Sequence, residues 1–261
     1  MKYSFAKKSL GQNFLMHRQT SERIVLAAGV LESDTVLEIG PGHGALTREL
    51  LAKAGKVVAI EADDLLIPEL NETFKVEIAS GKLTLIHADV RDFDPKSLGT
   101  AYRLVANIPY YITGEIIRQF LTATSKPVSM TLLVQKEVAE RIVRSKKESL
   151  LSLSVKAYGT PRYEFTVPRG AFVPAPSVDS AVLTVADIAS PFRSETEESW
   201  FFTVLRAGFA HKRKLLRRNL ELVAEKEGIE PAFHEVGIPL SARPEDVHLD
   251  AWVALASRLT A

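Results

Sequence analysis

Apolar residues arrive in short runs along the first two thirds of the chain. Thr35–Ile39, Lys56–Ile60, Leu83–Ile86, Tyr102–Ala106 and Ser129–Gln135 are compact and rich in Val, Ile and Leu, so they predict buried strands. Stretches of helical length lie between or after them, at Ala45–Ala54, Pro68–Ile78, Glu115–Ala123 and Lys136–Arg144. Thr20 or Ser21 is placed to cap an earlier helix through Ala28, whose apolar side is Ile24, Val25 and Ala28. Regular strand–helix alternation predicts an α/β fold with a doubly wound, mostly parallel sheet. Two further strands, Tyr163–Val167 and Ser180–Val185, flank a stiff proline loop, Phe172-Val173-Pro174-Ala175-Pro176. Residues 187–196 are turn-rich. Only helices are predicted beyond them, at Glu198–Ala210, Lys212–Glu227 and Leu249–Leu259. The expected division is therefore 1–189, an α/β domain, and 190–261, a small all-helical C-terminal domain.

Composition narrows the picture in three ways. The net charge of +1 means that a polyanion must be met by a local patch rather than a global field. One such patch runs from Arg206 to Arg218, with Arg206, Lys212, Arg213, Lys214, Arg217 and Arg218 and no acid between them. A second is the arm at residues 1–18, with Lys2, Lys7, Lys8 and Arg18. The absence of cysteine removes disulfides and thiolate metal sites, and the histidines show no ligand spacing, so no metal is expected. Neither a signal-peptide core nor a run of membrane-spanning length is read, and a cytoplasmic protein acting as a monomer is expected.

The chemistry gathers at the predicted strand ends, where ligands bind in sheets of this kind. Gly40, Gly42 and Gly44 follow the first strand and permit a tight turn with close ligand approach. The form Gly40-x-Gly42-x-x-Ala45, with Glu61 about 20 residues on, also satisfies a dinucleotide fingerprint, so a nicotinamide-dependent dehydrogenase is an alternative. Glu38 argues against it, because a carboxylate repels a pyrophosphate but favours a sulfonium or ammonium. Glu38, Glu61, Asp89 and Asn107 are each expected at a strand end, lining one rim. Glu61 suits two ribose hydroxyls and Asp89 an exocyclic amine. A phosphate-free nucleoside with a positive centre, such as S-adenosylmethionine, fits that set. Asn107-Ile108-Pro109-Tyr110 adds an amide, a fixed turn and an aromatic face, suited to a planar ring bearing an amino group.

At this point the chain resembles the small-subunit ribosomal RNA adenine dimethyltransferase family. The residues that carry the resemblance are Lys8-Ser9-Leu10-Gly11-Gln12-Asn13-Phe14-Leu15, Glu38-Ile39-Gly40-Pro41-Gly42, Asn107-Ile108-Pro109-Tyr110, Gln135-Lys136-Glu137-Val138 and Phe172-Val173-Pro174-Ala175-Pro176-Ser177-Val178-Asp179-Ser180. It implies a Rossmann-like class I methyltransferase fold that uses S-adenosyl-L-methionine. Asn13 and Leu15 would touch the methionine end, Gly40 would lie against the cofactor, Glu61 would bind the ribose and Asp89 the adenine. Asn107 and the Ile108 carbonyl would hold the target amine, with Tyr110 and Phe172 stacked on an extruded base. The implied product is a pair of dimethylated adenines in the loop of the last helix of small-subunit rRNA, made within a pre-ribosomal particle. A large-subunit methyltransferase conferring antibiotic resistance and a non-enzymatic assembly factor are the other readings. The chain departs from the family pattern at Ile108, where Leu is common, and at His43, expected to be an exposed loop histidine. It departs again at Glu148-Ser149-Leu150-Leu151, ahead of an implied strand at Ser152–Val155.

Overall fold

The computed structural model describes residues 11–99 and 101–259. In chain order its elements are β1 (Phe14–Leu15), α1 (Arg18–Ala28), β2 (Thr35–Ile39), α2 (Ala45–Leu51), β3 (Lys56–Glu61), α3 (Ile67–Thr73), α4 (Lys75–Ala79), β4 (Leu83–His87), β5 (Tyr102–Asn107) and α5 (Thr113–Thr122). They continue with β6 (Ser129–Gln135), α6 (Lys136–Val143), α7 (Leu150–Tyr158), β7 (Thr160–Val167), β8 (Phe172–Val173), β9 (Ser180–Ala186), α8 (Glu195–Gly208), α9 (Leu216–Leu220), α10 (Lys226–Val236) and α11 (Leu249–Arg258). Two compact units result. One comprises residues up to Ala139 together with Gly159–Ala189, and the other comprises Glu140–Tyr158 with the chain from Ser190 onward. Residues 140–158, expected in the first unit, thus group with the later helices.

The first unit is built on a seven-stranded sheet in the order β4-β3-β2-β5-β6-β9-β7. The five strands from β2 to β6 in sequence run parallel, whereas β9 pairs antiparallel with both β6 and β7. Central strands are apolar on both faces because helices cover both, which is why their sequences read as continuous runs. The core joins Val36, Val57, Ala59 and Val105 of the sheet to Ile24 and Val25 of α1, Leu46 and Leu50 of α2, and Leu70 of α3. A separate two-stranded ladder, β1 with β8, sets Leu15 opposite Phe172.

Several predicted boundaries move for identifiable reasons. Helix α1 starts at Arg18, not at Thr20 or Ser21, and Ser21 is fully buried within it. Ser21 lies on the same stripe as Ile24, Val25 and Ala28, so the helix begins a turn earlier to bury that stripe. The predicted 68–78 helix divides at Phe74, which turns into the core. Ser152–Val155 is helical, within α7, and not a strand. Ser149 and Ser152 cap that helix reciprocally: the Ser152 amide donates to Ser149 Oγ at 3.1 Å and the Ser149 amide to Ser152 Oγ at 2.7 Å. The predicted 212–227 helix is a loop, then α9, then α10. Gly228 and Pro231 lie inside α10, where burial of Ile229, Ala232 and Phe233 outweighs poor propensity.

Candidate active site

The register of the parallel strands determines which residues meet at the carboxyl end of the sheet. Ile39 pairs with Ile60 and with Ala106, and Glu61 pairs with His87, so Gly40, Glu61 and Asn107 emerge side by side. They open a cleft with about 840 Å³ of free space, part of it open to solvent. Its lining brings together Asn13, Gly40, Gly42, Glu61, Asp89, Asn107, Ile108 and Tyr110, all expected from the sequence. The glycine turn is tight. Gly42 adopts φ +59°, and a Cβ there would come within 2.9 Å of the Phe14 ring, so an L side chain is strained on both counts.

Glu61 is nearly buried and fastens this turn. Its Oε2 accepts from the Gly42 amide at 3.1 Å and its Oε1 from the Asp63 amide at 2.8 Å. Desolvation pushes its pKa upward, partly offset by those amide donors. Asp89 behaves oppositely. Arg91 forks onto it, Nη2 to Oδ2 at 2.6 Å and Nε to Oδ1 at 3.0 Å, and the hydrogen bonds hold its pKa below the usual value.

Asn107 sits at the last position of β5. Its Nδ2 donates to the Asn13 carbonyl at 3.0 Å, which assigns the amide orientation. Oδ1 receives no hydrogen bond from the described residues, so it is available as an acceptor at the cleft. Asn13 Nδ2 in turn donates to the Gly11 carbonyl at 3.1 Å. The Tyr110 hydroxyl is 2.6 Å from Ser180 Oγ, which anchors the tip of its side chain. Burial raises the Tyr110 pKa, so it stays neutral.

A family model described as ribosomal RNA adenine dimethylase matches residues 4–260. The chain belongs to the ribosomal RNA adenine dimethylase family. Among relatives of this dimethylase is the ribosomal RNA small subunit methyltransferase A of Dehalococcoides mccartyi, 41% identical over 256 residues, covering 96% of this chain and 87% of that protein. The protein of the same name from Shouchella clausii is 40% identical over 267 residues, covering 97% and 89%. Among solved structures, the 23S rRNA methyltransferase ErmE superposes with TM-score 0.76 at 27% identity, over 95% of this chain and 99% of that one. A dimethyladenosine transferase from Plasmodium falciparum gives TM-score 0.73 at 25% identity, over 93% and 95%.

Not every expected residue reaches the cleft of this dimethylase. Leu15 is buried against Phe172 rather than exposed to a cofactor. Phe172 is itself 2% exposed, a core residue and not a stacking face; Val173 is the exposed member of that strand. Pairing with β1 turns the aromatic ring inward, because neighbours on a strand face opposite sides. His43 is also no exposed loop residue. Its ring packs edge-on to Phe14 at 4.4 Å, and Nδ1 lies 2.9 Å from Glu69 Oε1. Lys7 and Lys8 lie outside the described residues. Sequence reasoning missed Tyr111, which lines the cleft and is 61% exposed, and it missed Arg91. The doubled tyrosine after Pro109 was the available signal for the first; nothing local marked the second.

Glu38 is the largest correction. It precedes Ile39 on β2, so the alternation of the strand sends it away from the cleft, and it is 1% exposed. Desolvation raises its pKa to about 8; Thr47 lowers it and Glu61 raises it further. Among the described residues, neither the carboxyl nor the Thr47 hydroxyl closes a hydrogen bond of normal geometry. Burial therefore favours the protonated carboxyl at neutral pH, and its charge carries no argument against a pyrophosphate.

Glu38 gives a testable pH dependence. The unfolded carboxyl titrates near 4.5 and the folded one at about 8. The stabilisation is fully present below the lower value and is lost as pH rises through the upper one, with a slope of up to about 1.4 kcal/mol per pH unit. Urea unfolding from about pH 5 to about pH 8 should show this decline, and Glu38→Gln should flatten it. Equal slopes for the two proteins would exclude a protonated Glu38.

Proposed function

We propose that this dimethylase transfers methyl groups from S-adenosyl-L-methionine to the exocyclic amines of two adjacent adenines. The adenines lie in the loop of the 3′-terminal helix of small-subunit rRNA, within an assembling cytoplasmic particle, and the protein acts as a monomer. Asn107 is the observation that carries the reading: an amide fixed by the Asn13 carbonyl, with its oxygen uncommitted among the described residues, beside Ile108 and Tyr110 in the lining of the cleft.

The donor set fits the cofactor. Among the described residues lining the cleft, Arg91 is the sole cation, and Asp89 engages it, so these residues offer no free cation to a pyrophosphate. Glu61 keeps a second lone pair on each oxygen for ribose hydroxyls, and Asp89 can accept from the adenine amine. Gly40 and Gly42 would let the cofactor lie against the backbone, and Asn13 would meet its methionine end. When bound, S-adenosylmethionine supplies an electrophilic methyl group on a sulfonium centre.

The chain's own residues do the rest. The adenine amine is a poor nucleophile because its lone pair is delocalised into the ring. Asn107 Oδ1 and the Ile108 carbonyl would accept its two hydrogens, favouring a pyramidal nitrogen with a directed lone pair. Pro109 sets the turn, and Tyr110, braced by Ser180, would stack on the extruded base for roughly 1–3 kcal/mol. Positioning of this kind contributes on the order of 7 kcal/mol or more. No side-chain base is required, since the product ammonium is acidic.

RNA would be held by the second unit. Lys212, Arg213 and Lys214 are exposed, and among the described residues they make no ion pair. Arg206 is exposed on α8. Arg217 and Arg218, expected in the same patch, are instead paired with Glu230 at 3.2 Å and Glu221 at 3.0 Å. The deciding experiment supplies unmethylated small and large ribosomal subunits with labelled cofactor and maps the modified base by mass spectrometry. Label on two adjacent adenines of the small subunit is expected. Label confined to the large subunit would favour the antibiotic-resistance reading, and none on either would overturn the proposal.

A further inference from the structure

Three exposed cations of the second unit, Lys212, Arg213 and Lys214, do not lie on a helix. They occupy the loop 209–215 between α8 and α9, and this loop is unusually well fastened for a surface segment. Asn219, on α9, is fully buried. Its Nδ2 donates to two carbonyls at once, that of Gly208 at 2.6 Å and that of His211 at 3.2 Å. The first belongs to the last residue of α8, where helical carbonyls lack internal partners. The second lies inside the loop. Both amide hydrogens are thereby spent, and reversing the amide would set its oxygen against two carbonyl oxygens, so the orientation is unambiguous.

Packing holds the same points. Gly208 approaches Trp252 so closely that a Cβ would fall 2.3 Å from the indole, and the next residue, Phe209, stacks on that indole at 5.7 Å. The Lys214 amide donates to the His211 carbonyl at 3.0 Å, and the Leu216 amide to the Ala242 carbonyl at 2.9 Å. The backbone beneath three exposed cations is thus set before any ligand arrives. Such preorganisation raises affinity by reducing the ordering cost of binding.

We propose that Asn219 is the positioning residue of a preformed phosphate-binding loop, and that it acts on RNA affinity only through Lys212, Arg213 and Lys214. The proposal rests on the reading of the second unit as RNA-binding. The ligand chemistry is the backbone phosphate of an rRNA strand, with no base specificity assigned to the loop.

A double-mutant cycle tests it, with unmethylated small subunits as substrate. The triple variant Lys212→Ala/Arg213→Ala/Lys214→Ala should raise the KM for subunits by about 10-fold or more and lower the slope of log affinity against log salt by roughly 2. Asn219→Ala should raise KM by about 5-fold with kcat within about two-fold, and leave S-adenosylhomocysteine binding unchanged. Added to the triple variant, it should change KM by less than about two-fold, because the groups it positions are gone. An undiminished Asn219→Ala effect on KM in the triple background overturns the positioning role while the RNA reading stands. So does a loss of melting temperature with KM unmoved. A triple variant with wild-type KM and salt slope overturns the RNA reading of the loop, and the inference with it. Should Asn219→Ala fail to fold, Asn219→Ser, which keeps one donor, runs the same cycle under the same criteria.

Discussion

Asn107→Ala is expected to lower single-turnover methyl transfer to unmethylated small subunits by about 10²–10³-fold, the usual loss when one preorganised polar group at a reacting centre is removed. Two functions disappear together. The acceptor for one amine hydrogen is lost, and so is the donor to the Asn13 carbonyl. Asn107→Asp separates them, because it keeps an acceptor and loses the donor, and it places a carboxylate oxygen 3.0 Å or so from a carbonyl. If the acceptor dominates, Asn107→Asp retains more activity than Asn107→Ala. If the hold on Asn13 dominates, the two are equally poor and S-adenosylhomocysteine binding weakens in both. Near-normal turnover in Asn107→Ala would remove Asn107 from the mechanism.

Glu61→Gln should weaken S-adenosylhomocysteine binding by about 10²-fold, with little change in backbone shape. The side chain has nearly the same volume, but one oxygen becomes an amino group. Both carboxylate oxygens already accept a backbone amide, from Gly42 and from Asp63, so whichever is replaced sets donor against donor. Leaving a buried amide without its acceptor costs about 1–3 kcal/mol, and a ribose hydroxyl would lose its acceptor as well. Calorimetric titration reads the affinity, and a melting curve without ligand separates it from loss of the glycine turn. A change under about three-fold would show that Glu61 serves the turn and not the ligand.

The sheet was legible because parallel strands buried on both faces read as unbroken apolar runs, and five of them appear in sequence within a residue or so of their true limits. Glu61, Asp89 and Asn107 were legible because strand ends in such a sheet are where a ligand binds, so the position carried the meaning. Glu38 sits one residue too early on its strand, and alternation hides it. Leu15 and Phe172 misled because their environment comes from a pairing between distant segments, β1 with β8, that no local pattern announces. Prolines around Phe172 suggested exposure; Val173 and not the ring received it. The loop at Lys212–Lys214 has neither glycine nor proline within it, and the break is imposed from outside by Asn219 and Trp252, so propensity ran a helix through it.

The two carboxylates of the cleft have their pKa values shifted in opposite directions. Glu61 has its pKa raised by burial, whereas Asp89 has its pKa lowered by Arg91. As pH falls, Glu61 therefore takes up its proton first and Asp89 last. Acid would therefore reach the fastening of the glycine turn well before it reaches the fork between Arg91 and Asp89.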